Sequence, residues 1–233
     1  MQPGRAGPRS RRVLVTGSSS GIGAAIALRL LDSGWEVFGL DRVPATLGGP
    51  RFTGFEVDLL ETDRVAALVD GLRNISALVH AAGFMRVAPI GELDAGDGRD
   101  MWRLHVEAAG YLANSLAPRM SEGGRIVLIG SRTSSGAAGR SQYAATKAAL
   151  VGMARSWAIE LAPRGITVNV IAPAATETPM LHDAARGAIA PRTPPIGRFV
   201  RPEEVAALAA FVLSDDAAAI TGQQLVICGG SSL

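Results

Sequence analysis

Apolar residues come in short blocks separated by longer amphipathic stretches. Arg12–Thr16, Glu36–Leu40, Phe52–Val57, Ser76–Val79, Gly124–Gly130, Ile166–Ile171 and Gln224–Ile227 are short and mostly rich in Val, Ile and Leu. Such runs read as strands, most of them buried on both faces. Between them, Ala24–Leu31, Glu61–Arg73, a stretch of about Asp97–Met120, Gln142–Leu161 and Pro202–Leu213 read as helices. Val65, Leu68, Val69 and Leu72 recur at helical spacing. Glu203 and Glu204 open the last helix, where the dipole favours acids. Val43–Arg51 holds Pro44, Gly48, Gly49 and Pro50, so at most a single turn fits there. Short strands alternating with helices predict an α/β fold: one doubly wound domain over residues 12–233, with a parallel sheet covered by helices on both faces. Residues 174–197, rich in Ala and Pro, read as a mobile lid over a pocket.

Composition agrees with one large domain. The chain has 233 residues, 48% hydrophobic and 19% charged, enough to bury a core and too apolar for disorder. The net charge of +2 is a property of the tail. Arg5, Arg9, Arg11 and Arg12 precede the first acid, Asp32; without them 19 basic residues face 21 acidic ones. Residues 1–11 read as a disordered basic tail, a solvated terminus rather than a nucleic-acid or membrane anchor. It lacks the apolar core of a signal peptide, and no run reaches membrane-spanning length. Cys228 is the lone cysteine, which excludes an internal disulfide and fits a reducing cytoplasm.

The chemistry clusters just past the strand ends. Gly17–Gly23, Asp41, Asp58, His80–Gly83, Ser131 and Pro173 each follow a predicted strand. In an open parallel sheet those ends share one crevice, where ligands bind. Glycines at 17, 21 and 23 suit a turn that lets a pyrophosphate approach a helix N-terminus; alone, they equally suit an ordinary strand-to-helix turn. Asp41 lies about 20 residues on, where a carboxylate accepts both ribose hydroxyls and repels a 2′-phosphate. That favours NAD over NADP, although Arg42 follows it. Asp58 would lie under the adenine.

One residue stands out by rarity. Lys147 is the only lysine beside 22 arginines, and it follows Tyr143, one of two tyrosines, by four positions. An i,i+4 pair shares a helix face. A free tyrosine, with a pKa of about 10, is a poor base near neutrality. An ammonium and a nicotinamide cation beside it would both favour the tyrosinate. Tyr143 is thus the acid/base candidate, Lys147 its electrostatic partner and ribose anchor, and Ser131 the donor that polarises the substrate oxygen.

These pieces together resemble the short-chain dehydrogenase/reductase (SDR) family over nearly the whole chain. The matching residues are Thr16-Gly17-x-x-x-Gly21-Ile22-Gly23, Asp58-Leu59, Ala82-Gly83, Ser131, Tyr143-x-x-x-Lys147, Ile166-x-Val168-Asn169, Pro173, Thr178, Pro202-Glu203-Glu204 and Ile220-Thr221-Gly222-Gln223. The resemblance implies a Rossmann fold with about seven strands, a secondary-alcohol/ketone oxidoreductase and a homotetramer or homodimer built through the long helices. It implies NAD contacts at Gly17, Ser19, Ser20, Gly21, Ile22, Gly23, Asp41, Arg42, Asp58, Leu59, Ala81, Ala82, Gly83, Tyr143, Lys147, Pro173, Thr176 and Thr178. Phe84, Met85, Arg86, Met180, Leu181 and His182 would line the substrate side, and Arg86 and Arg132 read as surface charges or as partners for a substrate anion.

The chain departs from that pattern at instructive places. His80-Ala81-Ala82-Gly83 stands for Asn-Asn-Ala-Gly, Pro173-Ala174 for Pro-Gly, and Cys228-Gly229-Gly230 for Asp-Gly-Gly. His105 occupies the place of the family's fourth catalytic residue, an asparagine that helps hold a relay water. His105 is therefore a fourth catalytic candidate with a variable charge near neutral pH, or else a packed helix histidine. Three scattered histidines form no metal site. Two rivals remain: an NADPH-dependent 3-ketoacyl reductase of the same family, and a dinucleotide-binding sensor or scaffold whose catalysis has decayed.

Overall fold

The computed structural model describes residues 11–183 and 191–233. Residues 1–10 of the expected tail and 184–190 of the expected lid lie outside them. Seven parallel strands form one sheet: β1 (Arg12–Thr16), β2 (Glu36–Asp41), β3 (Phe52–Glu56), β4 (Ala77–His80), β5 (Arg125–Ile129), β6 (Thr167–Pro173) and β7 (Gln224–Ile227), in the order β3-β2-β1-β4-β5-β6-β7. The order reverses between β1 and β4, so their carboxyl ends open the crevice.

Helices α1 (Gly21–Asp32) and α6 (Pro202–Leu213) cover one face. Helices α2 (Thr62–Gly71), α4 (Ala108–Leu116) and α5 (Ser141–Leu161) cover the other. The strand period of two divides the apolar runs between these layers. Val13, Val15, Val79 and Val127 pack towards α1 and α6, while Leu14, Leu78, Ile126 and Leu128 pack towards α4 and α5. The continuous apolar runs of the central strands are thus explained by burial on both sides.

The expected long helix is a correction. It begins earlier, as α3 (Ala95–Trp102), where Asp94 caps Asp97 N–H with its side chain. It then passes through a π-helical turn, Arg103–Glu107, before α4. The turn puts Trp102, Arg103 and Glu107 at the surface and His105 and Val106 inside. Helix α1 also begins at Gly21, ahead of the expected Ala24. The expected lid contains a 3₁₀ turn at Pro179–His182, and Thr176 bridges Val200. The segment after Asp41 forms no helix, as read from its prolines and glycines.

Arg125 is 2% exposed in β5. Its guanidinium donates to the carbonyls of Gly124 at 3.0 Å and of Gly165 and Ser214 at 3.4 Å. One planar fork thus ties the turn after α5 and the end of α6 to the sheet. A lysine would keep the charge but could not span those acceptors. Each buried carbonyl left unpaired costs about 1–3 kcal/mol. Arg125→Lys is expected to lower stability by about 2 kcal/mol and Tm by about 4–8 °C, read by thermal unfolding; an unchanged Tm would show that the fork contributes nothing.

Candidate active site

The crevice is a cleft of about 930 Å³, near the upper end of the range for ligand pockets. Every expected cofactor and catalytic residue lines it except Ser19. Ser19 turns into the protein: its N–H donates to Asp41 Oδ2 (2.9 Å) and its hydroxyl to the Val43 carbonyl (3.3 Å). Ser18 is buried as well, while Gly17 and residues 20–23 line the cleft. Gly17 has φ +69°, and a Cβ there would lie 2.9 Å from the Ala82 backbone. A side chain is therefore excluded where β1 passes β4. Helix α1 starts with no side-chain cap at Ser20 and no acid in its first turn. Its free N–H groups and positive dipole end suit an anionic group such as a pyrophosphate.

Asp41 is held in place from the protein side. Its carboxylate accepts from Ser19 N–H and, through Oδ1, from Val43 N–H (3.2 Å). Each carboxylate oxygen keeps a further lone pair for a ligand. Asp58 is fixed by Leu60 N–H at 2.9 Å, and Arg42 is exposed at the same end. These residues fit a dinucleotide: a bare helix terminus for phosphates and an oriented acid for a ribose.

At the other end of the cleft, Tyr143 (6% exposed) and Lys147 (4% exposed) sit on one face of α5. Lys147 Nζ lies 5.7 Å from the centre of the Tyr143 ring and donates to the Ile129 carbonyl at 2.9 Å. Burial pushes the lysine pKa down from 10.5 to about 7. Ser131 follows β5. Its Oγ accepts from Thr133 N–H (3.1 Å) and is 2.8 Å from Thr133 Oγ1. Phe84, Met85, Met180 and Leu181 line the same end, while Arg86 and His182 do not. Arg86 instead stacks over Phe84 and lies within 4 Å of Asp97 and Asp183.

His105 lines the cleft wall behind Tyr143, its ring edge-on to the phenol at 5.7 Å between centroids. Phe84 N–H donates to Nε2 at 3.1 Å. An amide cannot accept, so Nδ1 carries the hydrogen and donates to Thr146 Oγ1 at 2.8 Å. Thr146 passes its own hydrogen to the Tyr143 carbonyl at 2.8 Å. Both ring nitrogens are therefore taken by protein groups. Burial, then the charge of Lys147, push the His105 pKa well below its usual value. The expected variable charge near neutral pH is corrected: this imidazole is neutral. His80, read as structural, is likewise neutral. Burial and Lys147 push its pKa down to about 3. It donates to the Leu104 carbonyl and accepts from Thr16, whose oxygen receives Ala81 and Ala82 N–H.

Thr16, Thr133 and Thr146 are site residues whose roles were not read from the chain. The available signal was position alone: each lies one to three residues from a residue already singled out. Among the described residues, no group of three or more His, Cys, Asp or Glu is placed to hold a metal.

Comparison with known proteins converges on the same chemistry. The family described as enoyl-(acyl carrier protein) reductase matches residues 17–232. D-threitol dehydrogenase of Mycolicibacterium smegmatis is 35% identical, covering 94% of this chain and 92% of the relative. The 3-oxoacyl-[acyl-carrier-protein] reductase of Salmonella typhimurium is 34% identical, over 93% and 95%. A short-chain dehydrogenase of Burkholderia cenocepacia, solved in complex with NADP, superposes with a TM-score of 0.86 at 33% identity, covering 97% of this chain and 99% of that one.

Proposed function

Since the chain belongs to the short-chain dehydrogenase/reductase family, whose members here are dehydrogenases and reductases of alcohols and ketones, we propose that it interconverts a secondary alcohol and a ketone with NAD(H). The observation that carries this reading is the shared cleft, with an oriented Asp41 at one end and Ser131, Tyr143 and Lys147 at the other. A bound nicotinamide would accept or supply the hydride. The chain's own residues would do the rest. The helix α1 terminus holds the phosphates and Asp41 the adenosine ribose. Lys147 holds the second ribose and, when protonated, favours the tyrosinate beside it. Ser131, its hydroxyl oriented by Thr133, donates to the substrate oxygen. Tyr143 moves the proton to or from that oxygen. His105 acts as a positioning residue, through Phe84 and Thr146.

The preference for NAD rests on Asp41: a carboxylate pinned by two N–H groups cannot swing away from a 2′-phosphate. NADPH-linked 3-ketoacyl reduction is the competing reading, because Arg42 is exposed beside Asp41 and could neutralise such a phosphate. Titration with both nucleotides is expected to give at least tenfold tighter NAD binding, with Asp41→Ala narrowing the ratio. Tighter NADPH binding by the native chain would replace the first reading by the second. We also propose a homo-oligomer through α3 to α5, where Trp102 and Ile159 lie exposed. No described helix is long and apolar enough to cross a membrane.

A further inference from the structure

The cleft is electrically divided. Among the described residues, the only Asp and Glu side chains lining it, Asp41 and Asp58, belong to the glycine-loop end. Beside Ser131 and Tyr143 the cleft is lined by Arg132 and Arg140 and, among the described residues, by no acidic side chain. The two arginines that could reach a substrate differ in circumstance. Arg86 is matched by Asp97 and Asp183 and lies off the cleft. Arg132 directly follows Ser131, is half-buried, and its guanidinium makes no hydrogen bond or ion pair with any described residue. Arg140 is the N-cap of α5, the helix that carries Tyr143, and the first turn of that helix has no acid. A cation at a helix N-terminus is disfavoured by the dipole, and the usual cap residues are Ser, Thr, Asp or Asn. Positive charge has thus been gathered at the reacting end, against local preference.

We infer that the substrate carries an oxyanion, a carboxylate or a phosphate, which Arg132 receives while Ser131 and Tyr143 engage the reacting oxygen. This rests on the oxidoreductase reading above and names its substrate class. Ser131 and Arg132 are consecutive and both line the cleft, so one small substrate can present an oxygen to the first and an anion to the second. A short hydroxy acid or keto acid, or the corresponding hydroxyalkyl phosphate, has that shape. A planar guanidinium fork matches such anions in two parallel bonds, which a lysine does not.

The test uses the full chain saturated with the nucleotide it prefers. Turnover is compared for 3-hydroxybutyrate, its methyl ester, 2-butanol and 2-hydroxypropyl phosphate. The acid or the phosphate is expected to exceed the two neutral alcohols by about ten- to hundredfold in kcat/KM, the size of a charge-assisted contact; which of the two leads distinguishes carboxylate from phosphate. In Arg132→Gln the anion-to-neutral ratio should fall to within about threefold of one, and in Arg132→Lys to an intermediate value. Neutral alcohols turned over as well as the anions, with the ratio unmoved by Arg132→Gln, would overturn the inference and leave the oxidoreductase reading standing. A second arm does not need turnover: butyrate and inorganic phosphate are titrated into the nucleotide-saturated protein. Binding that is weakened at least tenfold by Arg132→Gln supports the oxyanion site even if no alcohol reacts, an outcome that would sink the oxidoreductase reading instead. Binding equal in both proteins, or no binding of either anion, overturns the site.

Discussion

Turnover is expected to fall about a thousandfold or more in Tyr143→Phe, with folding unchanged. The substitution removes one hydroxyl, and with it the only acid/base group proposed for the reacting oxygen; such groups contribute about 10²–10⁴-fold. Lys147→Met should also remove turnover, but it should make the protein more stable. The reason is the buried ammonium. Its pKa falls from 10.5 to about 7 on folding, because burial penalises the charge. The folded value lies below the unfolded one, so the unfolded chain holds the extra proton between about pH 7 and 10.5. Native stability therefore rises with pH across that window, and the destabilisation is fully present below pH 7. Methionine removes it while leaving the Ile129 carbonyl without its donor. The net gain should be about 2 kcal/mol at pH 6, or about 4–8 °C in Tm, fading towards pH 10. A lower Tm at pH 6 would mean that the ammonium supports the fold, and the trade between stability and chemistry would be lost.

The second large effect is at Gly83. A Cβ there would lie 2.8 Å from His105 Nε2 and 3.6 Å from Lys147 Nζ. The imidazole is buried and held at both nitrogens, so it has no easy way to yield. Gly83→Ala should displace the ring, break its bond to Phe84 N–H and shift the Tyr143 backbone through Thr146. Misplacement of about 1 Å can cost 10²-fold in rate, and that is the loss expected in kcat. Asparagine is smaller than histidine and still offers an acceptor and a donor. Adding His105→Asn to Gly83→Ala should therefore recover at least tenfold, whereas His105→Leu should not. A double variant as slow as Gly83→Ala would show that the glycine serves something other than the histidine. In the native protein, kcat should show no break attributable to His105 or His80 near pH 6.5, since both stay neutral there.

Much of this was legible in the chain because it depends on local physics. Val13-Leu14-Val15 and Ile126-Val127-Leu128 read as strands covered on both faces, and the distinctive residues past their ends point to one edge. The solitary Lys147 marked a position where arginine would not serve. What escaped depends on neighbours distant in sequence. Nothing in Arg103–Glu107 announces a π turn; it becomes visible only once His105 meets Phe84 and Thr146, 21 residues before it and 41 after it. The expected titration of His105 failed for the same reason, since an unburied histidine has no cause to stay neutral. Arg125 read as one arginine among 22 until topology brought Gly165 and Ser214 to its fork.

A π turn accommodates one residue more than an α-helix uses for the same rise. Between Trp102 and Ala108 the chain therefore carries a surplus residue, and that surplus sets which side chains of α3 and α4 face in and which face out. Deleting Glu107 would allow an unbroken α-helix, the more regular solution locally, yet it would rotate α4 by about 100° relative to α3. Either His105 would leave the wall of the cleft or the apolar face of α4 would leave the core. An evolutionary loss of a single codon here would thus be tolerated by the helix and punished by the site.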